Sequence, residues 1–127
     1  MDLREFQDRI RDIDHTTGWD RLSGLQLIAR LTEEMGELAQ SVNRVYMDRD
    51  REAHMENIGV ELADCLWVIT KLANKYGVDL DSQAVRLVEN ASKWSEDTSA
   101  HLENGLRNLR DEIGSVLGEE NDRLPAG

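Results

Sequence analysis

The sequence predicts an all-α protein, a helical bundle of about five helices, and three observations carry that prediction. Apolar residues recur in steps of three and four along most of the chain, and no segment shows the alternation of a strand. Proline occurs once, and the nine glycines sit mainly at segment ends, as expected where helices run uninterrupted. The longest pattern, from about Leu22 to Met47, spans about 40 Å at the helical rise. That is long for a chain of 127 residues and argues for an elongated bundle rather than a globule with a sheet.

Each element has its own signal. Residues 2–13 place Leu3, Phe6, Ile10 and Ile13 at helical spacing, and "DHTTGWD" (14–20) reads as a loop carrying Trp19. In the second helix Ile28, Leu31, Met35, Leu38, Val42 and Val45 make one apolar seam. "DRDRE" (48–52) is a polar connection to a third helix, about 54–76, which Gly77 is placed to cap. Asp79 or Asp81 supplies an N-cap for a fourth helix running to about Trp94. "SEDTS" breaks the pattern. A last helix, about 99–117, carries Leu102, Leu106, Leu109, Ile113, Val116 and Leu117 on one face, and the tail from Gly118 reads as frayed.

Composition narrows the function. A formal net charge of -11 disfavours nucleic acid and anionic membranes as partners, and it requires divalent cations if a phosphorylated ligand is to bind. The single cysteine, Cys65, lies in the most apolar stretch and reads as a small buried hydrophobe. The N-terminus is charged from its second residue, unlike a signal peptide, and no run approaches the roughly 18 apolar residues of a membrane span. The expectation is a single cytoplasmic domain, small enough that oligomerisation would help its core.

The apolar stretch "IGVELADCLWVIT" (58–70) poses the chemical question, because it keeps Glu61 and Asp64 on a helix with apolar residues on nearly every side. Desolvating an isolated carboxylate is costly unless it pairs or binds a metal. The preceding helix carries Glu33, Glu34 and Glu37 within little more than a turn, Glu34 and Glu37 on the same side. If the two helices form an antiparallel hairpin, four carboxylates converge. Such oxygens are natural ligands of Mg²⁺ or Mn²⁺. A di-iron bundle would need Glu-x-x-His pairs, and no histidine here has a glutamate three residues before it. Zinc would prefer His or Cys, which neither acidic cluster offers.

With these residues in place, the chain resembles the MazG-like all-α nucleoside triphosphate pyrophosphohydrolases. Their hallmark, EExxE followed by ExxD, reads here as Glu33-Glu34-Met35-Gly36-Glu37 and Glu61-Leu62-Ala63-Asp64. The likeness covers about residues 19–93 of a single 1–127 domain and leaves the last helix as an accessory element. It implies a core completed by dimerisation, or a tetramer, and Mg²⁺-dependent cleavage (Mn²⁺ as a substitute) of a nucleoside triphosphate to monophosphate and pyrophosphate. Under it Glu34, Glu37, Glu61 and Asp64 hold the metal, with Glu33 and Glu34 in catalytic roles, Glu33 binding a further metal or orienting water. Trp19 stacks on the base, and Asn90 and Lys93 contact phosphates. Two departures stand out. Trp94, Ser95, Glu96 and Asp97 replace the basic residues some relatives carry after N-x-x-K, and Arg44 replaces an aromatic residue of pyrimidine-selective ones.

The remaining candidates read more plainly. Trp67 belongs to the core or a subunit interface, Trp94 is structural, Lys71 and Lys75 are solvated, and His15 is a loop residue. Two rivals stay open: a phosphoribosyl-ATP-type pyrophosphohydrolase, and a non-enzymatic helical interaction module whose acids are merely surface.

Overall fold

The computed structural model describes residues 1–47, 50–93 and 97–123, which are helical with no strand among them. Five α-helices run α1 (Leu3–Thr17), α2 (Gly24–Met47), α3 (Arg51–Lys75), α4 (Leu80–Lys93) and α5 (Asp97–Arg123), with a single 3₁₀ turn at Trp19–Arg21. The chain forms two compact units, Met1–Ala84 and Val85–Gly127. No helix among the described residues is long and apolar enough to cross a membrane.

The helix ends follow from local chemistry. Asp2 caps α1 by accepting from the Glu5 amide at 2.8 Å. Ser23 and Gln26 form a reciprocal capping box before α2, each side chain accepting from the other's backbone N–H at 3.1 and 2.9 Å. Asp50 caps α3 through the Ala53 amide. Gly77, at φ 65°, ends α3 in a Schellman turn, with Val78 N–H on the Ala73 carbonyl at 2.8 Å and Gly77 N–H on Asn74. Of the two predicted caps for α4, Asp79 serves: its carboxylate accepts from the Ser82 amide and hydroxyl. Those bonds, with a smaller contribution from Arg4, hold its carboxyl below the usual range.

In the first unit α3 packs along α2 and against α1. The buried core mixes Ile10, Leu27, Cys65, Val68 and Ala73 with the polar Gln7, Asp14, Ser41, Thr70 and Lys71. Gln7 ties α1 to the α3–α4 turn, donating to the Val78 carbonyl and accepting from the Leu80 amide, both at 2.8 Å.

Three expectations are corrected. Helix α1 continues through the supposed loop to Thr17, because Asp14 takes the inward position after Ile10 while Ile13 points outward. It stops at Gly18, whose φ of 82° a residue with a Cβ adopts only at a cost. The seam of α2 is rotated by about 50° from the apolar one: Leu27, Glu34 and Ser41 are buried, whereas Ile28, Met35 and Val42 are exposed. Helix α5 extends past residue 117 to Arg123. Gly118 within it costs a helix only about 1 kcal/mol, and the next strong breaker is Pro125. The apolar face of α5 is more than half exposed from Leu102 to Leu117. Trp94 and parts of both connections lie outside the described residues.

Candidate metal centre

Two facing stripes build the site. On α2 the stripe runs Leu27, Arg30, Glu34, Glu37 and Ser41; on α3 it runs Glu61, Asp64, Val68, Lys71 and Lys75. Steps of three and four keep each set on one side of its helix. Polar residues thus occupy the α2–α3 contact at mid-length, with Glu34 only 9% exposed and Glu61 and Asp64 half-buried.

One carboxylate oxygen from each of Glu34, Glu61 and Asp64 lies within 4.8 Å of the others. Adjacent oxygens on one Mg²⁺ ion stand about 3 Å apart, so the side chains would have to close inward for the three to meet on one ion. Burial first, and then the charges of Glu37 and Asp64, push the Glu34 carboxyl above its usual range. Burial likewise raises Glu61, followed by the charge and hydrogen bond of Glu37. Glu37 is therefore a neighbour of the cluster on an exposed position, outside the three that converge. The Oε2 atom of Glu61 is buried without a hydrogen-bond partner, which leaves a desolvated lone pair directed into an acidic cluster. A divalent cation satisfies it and removes the repulsion; without one, a proton shared with Glu37 serves.

The donor set selects among cations. Cys65 adjoins Asp64, but burial and the charges of Glu34, Glu61 and Asp64 push its thiol up, keeping it protonated and a poor ligand. What remains is oxygen, suited to Mg²⁺ or Mn²⁺. Arg30 balances part of the charge, donating to Glu33 at 3.0 Å and Glu34 at 3.2 Å. Glu33 itself points outward from the buried seam.

Beside the carboxylates opens a cavity of about 280 Å³ lined by Glu34, Asp64, Arg30, Trp19, Trp67 and Lys71 among others. Trp19, Leu22, Leu27 and Lys71 also border a second cavity of about 500 Å³. Lys71 is buried, contrary to its expected solvated place: it donates to Asp14 of α1. Its ammonium lies 5.2 Å from the Trp19 ring centre and 5.1 Å from that of Trp67. Trp67, expected in the core or at a subunit interface, is 38% exposed and walls the smaller cavity. His15 is exposed, with Nδ1 3.2 Å from Asp20 Oδ2.

The structure brings Trp19, Glu34, Glu61 and Asp64 to one region of the first unit. Asn90 and Lys93 stand three residues apart on α4, both exposed, within the second unit. Sequence reasoning missed Arg30, Asp14 and Lys71. The available signal was register: Lys71 continues the Glu61–Asp64 stripe by two turns, and Arg30 precedes Glu34 by one.

Comparison with known proteins agrees with the geometry. The model of the MazG nucleotide pyrophosphohydrolase domain matches residues 22–97, which contain both acidic clusters. The chain is similar to the uncharacterized protein YpjD of Bacillus subtilis (strain 168), at 33% identity over 110 residues, or 83% of this chain and 99% of the relative. No solved structure matches the chain.

Proposed function

The chain belongs to the MazG nucleotide pyrophosphohydrolase family, and from that premise we propose that it hydrolyses a nucleoside triphosphate to the monophosphate and pyrophosphate in a Mg²⁺-dependent reaction. The observation that carries this reading is the convergence of Glu34, Glu61 and Asp64 to within 4.8 Å beside a cavity walled by Trp19 and Trp67.

Glu34, Glu61 and Asp64 hold the metal, and Glu37 completes the set from the exposed end. When bound, Mg²⁺ offsets the charge of the triphosphate and polarises the phosphorus under attack. Glu33, exposed beside Glu34, orients and deprotonates the attacking water in this reading. Arg30 steadies Glu33 and Glu34 in register with one another. Trp19 offers its exposed ring to the base, and Asn90 and Lys93 contact phosphate. Positioning and charge stabilisation suffice for this class of reaction.

The chain acts as a homodimer or homotetramer in this reading. Support comes from the heptad-spaced Ile28, Met35 and Val42, left exposed on α2, and from Leu62, Leu66 and Ile69 on α3. A Met35→Glu variant is expected to lower the mass measured by light scattering.

The deciding experiment measures pyrophosphate release from the common nucleoside triphosphates, ribo and deoxy, and from phosphoribosyl-ATP, with Mg²⁺ or Mn²⁺. Metal-dependent release from the triphosphates supports the proposal. Release from phosphoribosyl-ATP alone moves the activity to that substrate, and no release from any leaves a helical interaction module.

A further inference from the structure

The buried Lys71–Asp14 pair is unexplained by the metal chemistry. A buried ion pair is seldom more stable than apolar residues of the same volume, so holding α1 to α3 does not require one. Its placement is more telling. Lys71 and Asp14 both line the larger cavity, Lys71 also lines the smaller one, and the ammonium is flanked by the rings of Trp19 and Trp67. Lys71 stands seven residues beyond Asp64 on the same helical stripe, about 10 Å along the axis. That distance is on the order of the reach from an α-phosphate to the polar edge of the base in an extended nucleotide.

We propose that Lys71 and Asp14 read the base, selecting nucleotides whose base presents a carbonyl beside a ring N–H: guanine, hypoxanthine, uracil or thymine. This rests on the pyrophosphohydrolase reading for the position of the phosphates. An ammonium has three donors and a carboxylate about four acceptor sites, so the mutual bond leaves both groups capacity for a ligand. With the base stacked on Trp19, the carbonyl accepts from Lys71 Nζ and the ring N–H donates to an Asp14 oxygen. Adenine and cytosine present the opposite pattern, an amino donor against the ammonium and a ring-nitrogen acceptor against the carboxylate. In that orientation the polar edge of the base and the remaining capacity of both groups go unmatched in a buried site, which favours the carbonyl-bearing bases.

The test uses the full chain and two readouts. In hydrolysis with Mg²⁺, kcat/KM for GTP, ITP or UTP, in ribo or deoxy form, is expected to exceed that for ATP and CTP by about 10²-fold or more. Quenching of tryptophan fluorescence by GMP, IMP and UMP against AMP and CMP measures the same preference without catalysis. It therefore still decides the matter if no triphosphate is hydrolysed, a result that would count against the proposed reaction alone. Asp14→Asn supplies an amide donor for a ring nitrogen, and the preference is expected to fall about tenfold or more. Should that variant not fold, the paired Asp14→Asn/Lys71→Gln substitution removes both charges and should abolish the preference. Equal binding of all five monophosphates by the parent chain, tighter AMP or CMP, or an unchanged ratio in a folded variant overturns the proposal. The last result would make the pair a strut.

Discussion

Replacing Glu34 by Gln separates metal binding from folding, because the two effects have opposite signs. Glu34 is nearly buried, its charge opposed by Glu37, Asp64 and Glu33 and supported by Arg30 at 3.2 Å. Like-charge pairs at helical spacing cost a few tenths of a kcal/mol each, and the favourable pair contributes a similar amount. The Glu37 repulsion and the Arg30 attraction therefore roughly cancel, and the net is set by burial and by the Asp64 and Glu61 charges across the interface, which leave the metal-free variant more stable by roughly 0.5–1 kcal/mol. In a chain of this length that is a rise of about 2–4 °C in Tm. The glutamine oxygen still accepts from Arg30. The metal works the other way: an ion bound only by the folded state adds about 1.4 kcal/mol at ten times its dissociation constant, and the variant forfeits this. Losing a ligand to a Lewis-acid cation should also lower kcat/KM by roughly 10²-fold or more, equivalent to ~3 kcal/mol. Thermal melts followed by far-UV circular dichroism, in chelator and in millimolar Mg²⁺, measure both terms. A variant less stable than the parent in chelator, or one that keeps the parent's full Mg²⁺-induced shift, would refute the reasoning.

Other outcomes follow from the same structure. Glu34 and Glu61 have folded-state pKa values raised above the ordinary 4.5, so the folded chain holds protons that the unfolded chain releases. Their contribution is fully present below about that value and is lost as pH rises through the raised ones. The Tm in chelator should therefore fall as pH rises from about 4.5 through the raised values, and Mg²⁺ should flatten the fall; a chelator profile in which these two groups contribute a rise there contradicts the electrostatics. Trp19→Ala should raise KM by roughly 5- to 100-fold, the worth of one stacked base, with kcat little changed. An unaltered KM would make the ring structural. Gly77→Ala forces a side chain into the left-handed region at φ 65° and should cost about 1–2 kcal/mol in urea unfolding; no change in midpoint would mean the turn relaxes freely.

The helices were legible in the sequence because their signals are local. Gly77 ends α3 where the pattern said, and Asp79 caps α4. The paired acids of α2 and α3 pointed to a shared site, and Glu34, Glu61 and Asp64 do converge. What escaped has one physical cause: apolar periodicity assumes that the inward face is apolar. Asp14 and Lys71 satisfy each other only across two helices, so neither segment alone marks them as interior. The loop assigned at Asp14 and the solvated Lys71 are the same error seen from two sides. The rotated seam of α2 arises likewise, since Glu34 and Ser41 take the inward positions and leave Ile28, Met35 and Val42 outside. Lys71 was within reach of a stripe count from Glu61, but its partner was not.

The central claim is that acids of α2 and α3 hold a divalent ion between them. Diffraction from crystals grown with Mn²⁺, at a wavelength where manganese scatters anomalously, tests it most directly. The account predicts a peak bounded by oxygens of Glu34, Glu61 and Asp64. An ordered structure with these carboxylates turned away from one another, and no peak between them, would contradict it.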